Sequence, residues 1–112
     1  VQQQAAKDLS AGLYERFRGR VASAMNVVLL TQESCGFCVQ AKEVLERLAG
    51  EFPLRISTVD LGTDAGQELA ERGGIVFPPG IFIDGEPFSY GRPSERALRR
   101  ELARRLATAR TT

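Results

Sequence analysis

The 112-residue chain predicts an α/β domain: a mixed four-stranded sheet flanked by helices, with an extra N-terminal helix. Three observations carry that prediction. Short apolar runs alternate along the chain with stripes at helical spacing. Asp84-Gly85 stands between two apolar runs, the strongest short hairpin signal. The length and a hydrophobic content of 43% suit one compact core.

Residues 5–24 place Leu9, Leu13, Phe17 and Val21 at steps of four, so a helix is expected there. Met25 follows, and the chain divides into a helical extension over 1–24 and a folded domain over 25–112. "NVVLL" (26–30) is a short apolar run with β-branched residues, which reads as a buried strand. From Cys38 onward, Ala41, Val44, Leu45 and Leu48 recur at helical spacing until Gly50 stops the helix. "LRISTVDL" (54–61) alternates like a strand. "TDAGQELAERGG" (63–74) opens with Thr63 or Asp64 as a cap and closes on a glycine pair. "GIFIDGEPFSYG" (80–91) gives the hairpin, and Ser94 caps a last helix with Leu98, Leu102 and Leu106 at steps of four. The strands linked by helices are expected to run parallel, and the last two antiparallel.

Composition removes several function classes. The chain has no histidine, which excludes hydrolase dyads that use an imidazole base and every mixed Cys/His zinc site. A net charge of +1 calls for neither nucleic acid nor a membrane surface, and no apolar run is long enough to span a bilayer. Residues 1–24 carry Lys7, Asp8, Glu15, Arg16, Arg18 and Arg20, unlike a secretory signal, so a cytoplasmic location is expected. The arginines of the last helix (Arg96, Arg99, Arg100, Arg104, Arg105, Arg110) read as a solvated outer face opposite the leucines.

The chemistry lies in "TQESCGFCVQAKEVLERL" (31–48), which holds the only two cysteines, Cys35 and Cys38. A structural zinc needs four ligands and is offered two. Inert buried cysteines would have apolar neighbours, whereas Cys35 stands between "TQES" and Gly36 at a loop-to-helix junction. A redox pair explains more. Cys-x-x-Cys at a helix start brings the sulfurs within disulfide reach and sets the first thiol against unpaired N–H groups and the positive end of the dipole. Both favour the nucleophilic thiolate, and the deeper second thiol can then resolve a mixed disulfide.

"SCGFC" (34–38), "GIVFPPGIFIDG" (74–85) and "SYGRPSERALRREL" (89–102) together resemble the glutaredoxin and thioredoxin superfamily. The resemblance covers about residues 26–107 and implies a thioredoxin fold. It implies a cis proline beside the active site at the start of the third strand, here Pro79, and a glycine closing the hairpin, here Gly91. Thioredoxins usually carry tryptophan before the first cysteine and a buried aspartate in the preceding strand. Ser34 and Leu29 stand in those places, so the chain looks more like a glutaredoxin. "YGRPS" (90–94) is similar to a stretch in the small redoxins that feed electrons to ribonucleotide reductase.

The chain also departs from glutaredoxins. Gln32 replaces the lysine three residues before the first cysteine, and Glu33 adds a negative charge. The acidic pair that receives the glutathione amino end is replaced by "PSE" (93–95), where Ser94 and Glu95 read first as a cap and a first-turn acid. The residue before the cis proline pairs with the substrate backbone in the family. Here it is Pro78, which has no N–H to donate.

The resemblance thus implies a glutaredoxin-like thiol–disulfide oxidoreductase that reduces protein or mixed disulfides and serves electron transport. Cys35 is the expected nucleophile and Cys38 the resolving thiol, with Phe37, Pro78, Pro79, Gln32, Gly91 and Ser94 as substrate-binding candidates. No metal or resident cofactor is expected, and a low-molecular-weight thiol such as glutathione is the candidate reductant. The expected partners are disulfide-containing proteins, with no nucleic acid and no membrane, and the expected state is a monomer. Two other readings stay open: a thioredoxin-like docking module of a larger protein, and an iron–sulfur carrier, since "CGFC" is one residue from the "CGFS" of monothiol glutaredoxins.

Overall fold

Seven elements occupy the residues described by the computed structural model, 24–111. They are β1 (Met25–Thr31), α1 (Gly36–Leu48), β2 (Leu54–Asp60), α2 (Asp64–Gly73), β3 (Gly80–Ile83), β4 (Glu86–Tyr90) and α3 (Glu95–Thr111). The helix expected over 5–24 lies, but for Ala24, outside the described residues.

The sheet has the order β2-β1-β3-β4. β1 and β2 are parallel, from Met25 opposite Leu54 to Thr31 opposite Asp60. β3 runs antiparallel to β1, with Leu30 opposite Gly80 and Val27 opposite Ile83. This corrects the expectation that every helix-linked strand would be parallel. A parallel crossover must carry the chain back to the end of the sheet where the previous strand began. β2 finishes at Asp60 beside Thr31, and β3 starts at Gly80 beside Leu30, so residues 61–79 turn at one end and never cross back.

Local chemistry explains the boundaries. The Gly66 N–H donates to Thr63 Oγ1 at 3.0 Å, which caps α2, and Gly74 ends it with φ of +63°. α1 ends differently from the expected glycine stop. Ala49 is its cap, in a right-handed conformation, and its N–H donates to Leu45 O at 2.9 Å. Asp84 and Gly85 take φ of +50° and +83°, the two left-handed positions of a tight hairpin turn. Pro87 interrupts β4, which tolerates it as an edge strand.

β3 is buried along its whole length because both its faces are covered. Ile81 and Ile83 join Val27 and Leu29 against Leu45 and Leu48 of α1 and Leu98 and Leu102 of α3. Phe82 points the other way, onto α2, where a Cβ at Gly73 would lie 2.9 Å from its ring. Each of these side chains contributes about 1.5–3 kcal/mol by leaving water. The result is a sheet with α1 and α3 on one face and α2 on the other. The C-terminal end of β1 then delivers the cysteine loop.

Candidate active site

β1 gives way at Thr31 to a four-residue turn that ends on the first cysteine. Ser34 is left-handed there, with φ of +56°, which is unusual for a residue with a Cβ. Cys35 follows in extended conformation as the N-cap of α1. Its Sγ accepts a hydrogen bond from the Cys38 N–H at 3.1 Å, and its carbonyl accepts from Val39 N–H at 3.2 Å. The sulfur thus occupies the place where a serine or aspartate oxygen normally satisfies the free amides of a first turn. Cys35 and Cys38 are joined by a disulfide, with their Cα atoms 5.2 Å apart. Cys35 is half-buried, whereas Cys38, facing the core side of α1, is 5% exposed.

The bridge has two flanks. Toward β2 a cleft of about 650 Å³ opens between α1 and the sheet. Gln32, Ser34, Cys35 and Cys38 form its upper wall, with Leu29, Ile56 and Thr58 among the strand residues beneath. Lys42 and Glu46 also line it, one and two turns beyond Cys38. The sequence did not mark this cleft, because its walls come from three elements far apart in the chain.

Toward β4 the flank is built from residues 74–79 and 90–94. The Pro78–Pro79 peptide bond is cis, as the resemblance implies. Pro79 is buried at the head of β3, and its carbonyl accepts the Gly91 N–H at 2.8 Å. Gly91 itself has φ of +80°. The Phe77 ring lies directly against it: a Cβ at position 91 would stand 2.8 Å from that ring. Phe77 meets Tyr90 edge-on, with ring centroids 5.4 Å apart at 86°. Neither aromatic stood among the expected site residues. The available signal was three large apolar residues, Ile75, Val76 and Phe77, in a loop between a glycine pair and a proline pair.

The remaining candidates fall as follows. Phe37 is exposed in the first turn of α1, beside the bridge. Ser94 caps α3, its Oγ accepting the Ala97 N–H at 3.2 Å. The Glu95 carboxylate is taken by Arg47 at 2.8 Å and Arg99 at 3.3 Å. Its carboxyl is held below the usual range, chiefly by the Arg47 hydrogen bond. Among the described residues no group of three or more cysteine or acidic side chains is arranged to hold a metal ion.

The Glutaredoxin family model matches residues 27–88, from the first strand to the second strand of the hairpin. The chain belongs to the glutaredoxin family. A relative is a thioredoxin of Methanocaldococcus jannaschii, 30% identical over 84 residues that span 75% of this chain and 99% of the relative. Among solved structures, a mutant thioredoxin from Halobacterium salinarum NRC-1 is 24% identical with a TM-score of 0.59, covering 76% of this chain and 77% of its own. The oxidised form of mitochondrial thioredoxin 3 from Saccharomyces cerevisiae is 19% identical with a TM-score of 0.57, covering 82% and 89%. These neighbours establish the thioredoxin fold for this member of the glutaredoxin family. Family membership together with the bridged Cys35–Cys38 pair supports a thiol–disulfide oxidoreductase role. No helix among the described residues is long and apolar enough to cross a membrane.

Proposed function

We propose that this glutaredoxin-family protein transfers electrons from a low-molecular-weight thiol, glutathione being the leading candidate, to disulfides of proteins in the cytoplasm. The observation that supports it is the capping hydrogen bond onto Cys35 Sγ from the Cys38 N–H. That amide stabilises negative charge on the sulfur at the helix start, so reduction leaves Cys35 primed as a thiolate.

In the forward reaction the Cys35 thiolate attacks one sulfur of the substrate disulfide. A mixed disulfide forms, and the other substrate sulfur leaves as a thiolate that takes up a proton. The Cys38 thiol then loses its proton and attacks Cys35 Sγ. The second substrate sulfur leaves, and the Cys35–Cys38 bridge remains. Two electrons have passed from the protein dithiol to the substrate. Two molecules of the small thiol return them and are themselves oxidised to a disulfide. Pro79 forms the wall of the groove, Pro78 offers a carbonyl alone, Phe37 supplies apolar contact, and Gln32 edges the cleft. The protein works as a monomer and needs no metal.

The test is reduction of insulin disulfides with glutathione as electron source. The wild-type protein accelerates the reaction, Cys35→Ser abolishes the acceleration, and Cys38→Ser accumulates a covalent adduct with substrate, seen by mass spectrometry. A wild-type rate equal to glutathione alone overturns the proposal.

A further inference from the structure

Large apolar side chains left exposed gather at the end of the sheet that carries the cysteine loop. Among the described residues the large apolar side chains left exposed are Phe37, Val39, Val76, Phe77 and Tyr90. All five belong to the first turn of α1, the loop before β3 or the end of β4, which meet at the end of the sheet where β1 delivers the cysteine loop; Val39 lines the cleft toward β2, whereas Val76, Phe77 and Tyr90 lie on the flank toward β4. Surface of this kind is retained where a partner covers it.

Phe77 is the best organised of the five. Half of its surface is open, at 50% exposure, yet its ring is held on two sides. Gly91 lies beneath it, close enough that no side chain fits there, and Tyr90 supports its edge. Such an aromatic pair is favourable beyond its buried area, and it favours one position of the ring before any substrate arrives. Several polar groups of the adjoining segment are engaged within the protein, while Arg92, next to Gly91, is exposed. The Gly91 N–H is bonded to Pro79, Ser94 Oγ to Ala97, and Glu95 to Arg47 and Arg99. Pro78 has no N–H at all. A large apolar side chain finds a braced ring.

We infer that Phe77 sets substrate choice: its ring, seated on Gly91 and braced by Tyr90, receives a large apolar side chain next to the reacting half-cystine of a polypeptide disulfide. The inference rests on the activity proposed above for Cys35. Phe77 takes no part in the exchange itself. It orients and retains the polypeptide while Cys35 attacks.

The test uses two disulfide-bonded peptides that differ only in the residue after the half-cystine, leucine in one and serine in the other. The wild-type protein favours the leucine peptide about tenfold in kcat/KM, the scale of one well-buried apolar side chain. Phe77→Ala brings the ratio down to about one, Phe77→Leu keeps most of it, and Tyr90→Ala loses part of it because the ring is no longer braced. Melting temperatures of the variants establish that they are folded. The wild-type ratio needs no variant, so the inference stays open to refutation even where Phe77→Ala is unstable. Equal wild-type rates on the two peptides, or a full ratio surviving in folded Phe77→Ala, overturn it. A wild-type protein that reduces neither peptide is a different result: it brings down the Cys35 activity and this inference with it.

Discussion

The two ends of the sheet are held together by different physics. Around the hairpin and the helix ends, neighbours are joined by charge. Arg105 of α3 reaches Glu101 at 2.7 Å and Asp84 at 3.7 Å and also pairs with Glu86, while Arg99 meets Glu51 at 2.7 Å. At the cystine end Phe77, Tyr90 and Gly91 interlock without charge. Ion pairs in water contribute little energy each, but they demand a particular geometry, which suits contacts that never change. Apolar surface is indifferent to direction, which suits partners that arrive, react and leave. The molecule thus sets ion pairs and interlocked aromatic rings at different ends of its strands.

The largest effect expected from challenging this division is at Gly91. An alanine there must adopt φ near +80° and displace the Phe77 ring from a Cβ 2.8 Å away. Gly91→Ala should destabilise the protein by about 2 kcal/mol, read from urea unfolding. A loss of only a few tenths would mean that the apolar end is pliant and that the interlock is not a built feature.

The charged end should respond less, and with a pH signature. Arg105→Ala is expected to cost about 1 kcal/mol, from its pairs and from the packing of its largely covered stem. The Glu101 carboxyl is held below its usual range, first by its hydrogen bond from Arg104 and also by that from Arg105, against the opposing effect of burial. A carboxyl whose folded-state affinity for protons is depressed stabilises the fold above its unfolded pKa, roughly pH 4.3, and that contribution disappears as pH falls through the folded value. Urea midpoints from pH 7 to pH 3 should therefore drop less steeply in Arg105→Ala than in the wild type. Equal slopes would show that Arg105 does not hold Glu101 in its charged form.

The smallest effect belongs to the turn that presents the cysteines. Ser34 bears a Cβ in the left-handed region, and Ser34→Gly relieves that cost while adding chain entropy to the unfolded state. A net gain of about 0.5 kcal/mol is expected as a higher melting temperature of the oxidised protein. A lower melting temperature would mean that the serine side chain holds the turn by contacts worth more than its strain.

These features differ in how far the sequence revealed them. Thr63, Gly74, Ser94 and Asp84-Gly85 act on backbone groups a few residues away, so their roles follow from local chemistry and were legible. The Cys-x-x-Cys pair was legible for the same reason, since three residues of helix fix its geometry. The direction of β3 was not. It depends on whether residues 61–79 cross the sheet or turn at its end, and a hydrophobic pattern is the same either way. Ser34 gave no warning because nothing in "TQES" demands a left-handed residue. Phe77 on Gly91 joins two loops 14 positions apart, and only the assembled sheet brings them together. The cleft beside Cys38 escaped for a like reason, drawing its walls from β1, α1 and β2.

The unequal depth of the two sulfurs has a kinetic consequence. Cys38 is 5% exposed and Cys35 is half-open, so every incoming thiolate or disulfide meets the protein through one atom. In the exchange proposed for Cys35, electron donor and electron acceptor therefore take turns at the same sulfur. In that proposed cycle the protein holds its two electrons between visits as a pair of thiols. Turnover measured over a grid of both reactants should give parallel double-reciprocal lines, with each reactant inhibiting when it is in great excess over the other.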